Sequence, residues 1–315
     1  MADPVLSPTV AAWPEADDGF IISAARVRAW HNSSLDMLQE CGERFRRRYI
    51  EREVVAPVLR MFRGTVVHAV ARYALARKMQ TQGAELPTRE EVKDLAATEF
   101  DRGVRLGGVL LTEEEKAEGP GVAAGRSKDF AVLLSALHVT NLAPTIRPVA
   151  LERRIILKPK GTDLTINGTI DLVDAGQLDP EHEMSGEGVR DLKTTERSPA
   201  ARAADTSQQL TIYSLLRFAE KRVIPKWSAL DWLIKTPKRG DVSRRTQVTS
   251  RDRTDLASAL RRIHVAAQAV DRGIFIPASP GHWRCDPRYC EFFQSCPYAQ
   301  RGVRRPQPNE ESTDG

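Results

Sequence analysis

A chain of 315 residues is long enough for one elaborated domain or two small ones, and one elaborated domain is the simpler expectation. Lys and Arg outnumber Asp and Glu by 47 to 42, giving a net charge of +5 and a pI near 9.1, which suits a polyanionic partner without establishing one. No run approaches eighteen apolar residues and the N-terminus lacks a basic-then-apolar signal, so a cytoplasmic protein with no membrane partner is expected. The Gly119 to Gly125 stretch lacks P-loop spacing and a following Lys, which excludes an ATPase, so any helicase activity would come from another chain.

In chain order, residues 1–19 and 303–315 read as tails, and 20–302 as a single domain with a helical insertion at about 74–146 and a cysteine region at 283–298. A helix capped near Ser33 or Ser34 leads through Cys41 into Arg44-Phe-Arg-Arg-Arg48-Tyr49. That run mixes cations with aromatics as a strand-binding surface would, and equally as a solvated face would. Met61 begins another helix carrying Gly64 and His68. Helices are predicted over Glu90 to Arg105 and Thr112 to Leu137, broken at Gly107-Gly108.

Leu151 to Leu157 reads as a strand in which Glu152 is a surface carboxylate or an additional acidic ligand. Thr165 to Asp174 alternates as a hairpin with Asn167-Gly168 at its turn, which puts Asp171 on the return strand. A short strand follows around Asp191, Leu192 and Lys193, then a helix from Asp205 to Lys221 capped by Asp205, Thr206 or Ser207. Leu230 to Ile234 is strand-like, and Lys235, Lys238, Arg239, Arg244 and Arg245 form a basic loop after it. A last helix spans 250–272, with Leu256, Leu260, Ile263 and Val270 on an apolar face.

Three residues carry the chemistry. Period-two alternation points Leu192 into the opposite layer and Asp191 and Lys193 to one face of their strand, where both can meet Asp171 across the sheet. Carboxylates gathered this way repel one another unless a cation joins them, and oxygen ligands favour magnesium or manganese. A neighbouring ammonium then orients water and neutralises a pentavalent phosphorane, which is the requirement of phosphodiester hydrolysis. Gln209 and Tyr213, four apart on the following helix, share the face that can reach these groups. His68 is a core histidine or a ligand; neutral imidazole suits manganese better than magnesium.

The four cysteines do not resemble a secreted disulfide framework. Cys285, Cys290 and Cys296 crowd the C-terminal region among Trp283, Tyr289, Phe292, Phe293 and Tyr298, while Cys41 lies far upstream. A sulfur-ligated metal centre fits this pattern, and the absence of Cys-x2-Cys knuckles leans away from structural zinc towards a cluster.

Gly64-x-x-x-His68, Gly168-x-Ile-Asp171, Asp191-x-Lys193 and Gln209-x-x-x-Tyr213, in this order, resemble the RecB-type branch of the PD-(D/E)XK nuclease superfamily over roughly residues 22 to 300. The likeness is greatest to Cas4-like and phage-encoded exonucleases. It implies an α/β fold, a restriction-endonuclease-like core of mixed central sheet flanked by helices, with a helical insertion. It implies that His68, Asp171, Asp191 and the Leu192 carbonyl bind Mg2+ or Mn2+, that Lys193 is catalytic, and that Gln209 and Tyr213 support the site or contact DNA. It implies a [4Fe-4S] cluster on Cys41, Cys285, Cys290 and Cys296, which would clasp the chain's two ends, with zinc as the lesser alternative. The expected activity is metal-dependent exonuclease action on single-stranded or end-exposed DNA, in recombination, repair or phage DNA metabolism, with a recombination or helicase protein as a partner. Two other readings stay open: a DNA-end-binding module of a recombination or CRISPR-adaptation complex, and a zinc-stabilised nucleic-acid-binding protein. The chain departs from the family pattern at Asp191, where Glu is commoner, and in the spacing of its last three cysteines.

Overall fold

Residues 22–23, 26–27, 29–106, 108–176, 186–236, 241–287 and 289–299 are described in a computed structural model of the chain. Both expected tails, Gly107, Lys238 and Arg239 lie outside them. The first elements are β1 (Ile22–Ser23), β2 (Arg26–Val27), β3 (Ala29–Trp30), α1 (Asn32–Glu40) and α2 (Gly42–Phe45), the last running into a π-helical turn, Arg46–Ile50. Next come α3 (Leu59–Gln80), α4 (Arg89–Arg105), α5 (Glu113–Glu118), α6 (Pro120–Leu137), β4 (Pro148–Leu157), β5 (Thr165–Asp174) and β6 (Gly188–Thr195). The chain continues through α7 (Gln208–Lys221), β7 (Trp227–Lys235), β8 (Val242–Thr249) and α8 (Arg253–Asp271). The result is a mixed α/β fold with a central mixed sheet flanked by helices.

Local chemistry sets most boundaries. Thr88, Thr112 and Asp252 close capping boxes with Glu91, Glu115 and Asp255, and the Ser207 side chain caps α7. His31 rather than Ser33 or Ser34 caps α1, its ring accepting the Ser34 N–H. The break in the predicted Thr112 to Leu137 helix falls at Gly119, whose φ of 107° ends α5, and Pro120 then starts α6 where a missing N–H costs nothing.

The six-stranded sheet runs β3-β5-β6-β7-β8, with β4 on the far side of β5. β5 is antiparallel to β4 and β6, whereas β6 and β7 are parallel and joined through α7, the long crossover that parallel pairing demands. Leu172, Leu192 and Leu233 on one face of the sheet pack with α3, α4 and α6. Ile170, Val173 and Val189 on the other pack with α7 and α8. On α3, Leu59, Phe62, Val66, Val70 and Ala74 recur every three or four residues and are all buried, so the helix lies flat on its layer.

One turn assignment is corrected. β5 passes through Asn167 and Gly168 without interruption, pairing Gly168 with Ile155, so the hairpin turn lies between Leu157 and Thr165. Glycine is required at 168 for a different reason: a Cβ there would approach Leu216 of α7 to 2.6 Å. The basic loop is also corrected, since Arg244 and Arg245 sit within β8, opposite Leu233 and Trp232.

Candidate active site

The site lies where the sheet forks. β5 and β6 are laddered only over Leu172 to Asp174 and Gly188 to Arg190. One step further, Asp171 and Asp191 occupy the first unladdered position of each strand. The strands then part: Ile166 of β5 turns to β3, while Asp191 to Thr195 continue beside β7. Two carboxylates therefore meet in an opening that backbone hydrogen bonding has just left.

On β4, Glu152 takes the corresponding place opposite Asp171, and its φ of 47° is a left-handed conformation unusual for a side-chain-bearing residue in a strand. The ladder between β4 and β5 skips this pair, bonding Arg153 to Ile170 and Leu151 to Leu172. Glu152, Asp171 and His68 line one cavity, and Arg72 stands 4.0 Å from Glu152.

α7 crosses the fork and links its members. Tyr213 donates to Asp171 Oδ1 at 2.9 Å, and Gln209 Nε2 donates to the Tyr213 oxygen at 2.9 Å. The Gln209 carbonyl accepts from Lys193 Nζ at 2.6 Å, and Lys193 Nζ lies 2.8 Å from Asp191 Oδ2. From the other layer, α3 delivers His68, with Nδ1 3.6 Å from Asp171 Oδ2 and a ring hydrogen bond to the Leu192 carbonyl. His68, Asp171, Asp191, Leu192, Lys193, Gln209 and Tyr213 thus come together within one connected set. Leu192 contributes its carbonyl, while its side chain joins the core on the α3 face.

The electrostatics are those of a site short of positive charge. Asp191 is 1% exposed, and burial first, with Asp171 adding to it against the pull of Lys193, pushes its pKa up to about 7. Neither of its carboxylate oxygens accepts a well-directed hydrogen bond, so the 2.8 Å contact with Lys193 is an ion pair of poor hydrogen-bond geometry. Burial and Glu152 raise Asp171 as well. Burial also lowers His68, keeping its imidazole neutral and its lone pair available. For Lys193 burial works downward, but Asp191 and Asp171 outweigh it and hold the ammonium above its ordinary value.

No three described His, Cys, Asp or Glu side chains are gathered closely enough to hold a metal ion as they stand. The donor chemistry nevertheless fits a hard divalent cation. Two buried carboxylate oxygens without hydrogen-bond partners, a second carboxylate across the fork, a neutral imidazole and a backbone carbonyl are what such an ion takes as ligands.

Beside this constellation opens a groove of about 510 Å3, lined by His31, Asn32, Asp36, Arg154, Lys193 and Tyr213. Asp36 is fixed by Asn32 at 2.8 Å and Gln208 at 2.6 Å. Sequence reasoning did not single out Asp36 or Arg154, since an acidic residue in a capped helix and an Arg in a strand carry no pattern of their own. It also missed His138, which is buried in the cavity shared with His68, leaves Nδ1 without a partner, and is lowered by that burial to about 4.

The four cysteines line a single cavity. Cys41 caps the start of α2, where its sulfur accepts the Ala278 N–H at 3.4 Å. Burial first, and Cys41 among other neighbours, raises Cys290 to about 11 and Cys296 above its usual range. Of the basic run after Cys41, Arg44 and Arg47 are directed inward, while Arg46 is half-buried and Arg48 exposed. Arg44 pairs with Glu291 at 2.7 Å, and Arg47 bonds Glu53 and Ser295 while lying over Phe292, which ties the N-terminal helices to the cysteine segment.

Among the described residues no helix is long and apolar enough to cross a membrane. No curated protein matches the chain. Among solved structures it is similar to the crystal structure of SSO0001, at 15% identity and a TM-score of 0.35, covering 86% of this chain and 87% of that one. It is also similar to a candidate exonuclease from Eubacterium rectale, at 9% identity and a TM-score of 0.44, covering 89% and 91%. The sequence model of the PD-(D/E)XK nuclease superfamily matches residues 30–297, which contain every member of the forked site, and the chain belongs to that superfamily.

Proposed function

We propose that the protein is an Mg2+- or Mn2+-dependent deoxyribonuclease acting as an exonuclease on single-stranded or end-exposed DNA. The observation that carries this reading is the Asp171 and Asp191 pair at the fork, with Asp191 buried and its oxygens unpartnered beside the Lys193 ammonium. His68, Asp171, Asp191 and the Leu192 carbonyl would hold the cation, which when bound supplies Lewis-acid polarisation of the phosphate and an activated water. Lys193 stabilises the charge that develops on the phosphoryl oxygens, and Gln209 fixes the direction of its Nζ. Tyr213 keeps Asp171 turned into the fork. Arg154 and Asn32 give the groove beside it donors for the strand's phosphates.

The buried Asp191 beside Asp171 argues against a pure end-binding module of a recombination or CRISPR-adaptation complex, because binding alone does not require carboxylates held at such a cost. A role in recombination, repair or phage DNA metabolism, alongside a helicase or recombination partner, follows from the family likeness alone. So does the single nuclease domain over 20–302, with α4 to α6 as an insertion beside the cleft. Linear and circular single strands of one sequence separate the activities. Mononucleotide release from the linear strand alone is expected, and nicking of the circle at a comparable rate contradicts exonuclease action.

We further propose that Cys41, Cys285, Cys290 and Cys296 hold a [4Fe-4S] cluster as a clasp between the two ends of the domain. Four cysteines on one cavity, flanked by the Arg44 and Arg47 ties, support this reading. The raised pKa values of Cys290 and Cys296 mean that thiolates at those two positions are favoured by a nearby cation, as a bound metal would provide. Anaerobically purified protein is expected to be brown and to contain iron and acid-labile sulfide. A colourless preparation with stoichiometric zinc would overturn the cluster.

A further inference from the structure

Trp283 presents its indole to solvent. It is 51% exposed, whereas Trp30 and Trp227 are fully buried and Trp232 is half-buried. An exposed indole leaves a large π-face open to an occupant.

The ring is held at a fixed orientation. The Arg284 guanidinium lies 4.3 Å from its centre and is itself anchored by Glu40 at 2.7 Å, at the end of α1. Tyr289 meets it at 5.3 Å and 77°, and Arg60 of α3 bonds the Tyr289 hydroxyl at 3.3 Å. Both supports run back to the forked site. Asn32 at the other end of α1 lines the groove with Lys193, about 12 Å along the helix from Glu40. His68 lies a similar distance along α3 from Arg60. Arg60 and Arg63 also pair with Glu196, at 3.2 and 2.7 Å, three residues beyond Lys193. An aromatic surface backed by arginine is therefore tied to the two helices that border the site.

We propose that Trp283 is a stacking platform for an unpaired base of the DNA strand that the groove receives. The proposal rests on the nuclease reading and deepens it by assigning the substrate's single-stranded character to one side chain. A base presents a π-face whatever its sequence, and Arg beneath the indole strengthens the stack, so the contact favours unpaired DNA without selecting sequence. A ring already immobilised loses little freedom when the base arrives.

Equilibrium titration of the full protein with oligodeoxythymidylate, magnesium withheld, tests this by indole fluorescence. The wild type is expected to be quenched. Trp283→Phe should keep the affinity within about threefold while losing the quench, and Trp283→Leu, apolar but without a π-face, should bind about 5- to 100-fold more weakly. All three should melt together, as befits a surface site. A Trp283→Leu protein that binds like the wild type overturns the proposal, as does equal quenching by a blunt duplex of the same length. The titration needs no cleavage, so a chain that binds through Trp283 yet cuts nothing supports the stacking role and removes only the nuclease reading.

Discussion

Lys193→Ala is expected to lower the rate of phosphodiester cleavage by about 10²- to 10³-fold, the usual cost of removing one preorganised charge from a transition state. The ammonium is held 2.8 Å from Asp191 and 2.6 Å from Gln209, so its direction is set before substrate arrives. Because its pKa is raised rather than lowered, the loss should be one of charge and not of a general base. The acid limb of the pH profile should therefore be the same in the variant as in the wild type. Single-turnover rates across pH check this, and an acid limb that vanishes with Lys193 would assign it to proton abstraction instead.

Arg190→Ala is expected to cost about 3–5 kcal/mol of folding stability, as when one partner of a buried ionic network is removed. Arg190 is buried and donates through Nε to Asp174 Oδ2 at 2.6 Å, and through its terminal nitrogen to Asp231 at 2.9 Å. Asp174 also accepts the N–H groups of Arg147 and Gly176, and Asp231 accepts from Thr246. Without Arg190 both carboxylates would lose the guanidinium that pairs with them inside the sheet. Arg190→Lys should recover little, because one ammonium cannot span the two carboxylates as the guanidinium fork does. Urea unfolding of the two variants measures this, and a loss below about 1 kcal/mol for Arg190→Ala would show the network to be dispensable.

The α/β architecture was legible in the sequence because its signals are local. Thr88, Thr112, Ser207 and Asp252 mark helix starts through their own side chains, and the alternation around Asp191 fixes which residues share a face. What failed was local chemistry overridden from a distance. Asn167-Gly168 carries the strongest two-residue turn signal, yet the glycine serves the approach of Leu216 and the chain stays in the strand. Arg44 and Arg47 read as a surface because arginine is rarely buried, and only Glu291, Glu53 and Ser295, far away or across a turn, draw them inward. Arg190 was hidden for the same reason.

The site divides in the same way. Motif order located Asp171, Asp191, Lys193, Gln209 and Tyr213, but the fork that makes Asp171 and Asp191 opposite neighbours depends on where the ladder stops, at Leu172 and Arg190. No residue type announces such a stop. Glu152 shows its place only through register and a positive φ, and His138 only through the cavity it shares with His68. Both are products of packing between elements distant in sequence.

Cleavage of end-labelled single- and double-stranded DNA by the wild type and Asp191→Ala, each with magnesium, with manganese and with EDTA, tests the central claim most directly. Product that requires the divalent cation and disappears in Asp191→Ala is the expected result. A folded wild type that cuts neither substrate, or an Asp191→Ala protein that cuts as well as the wild type, would contradict it.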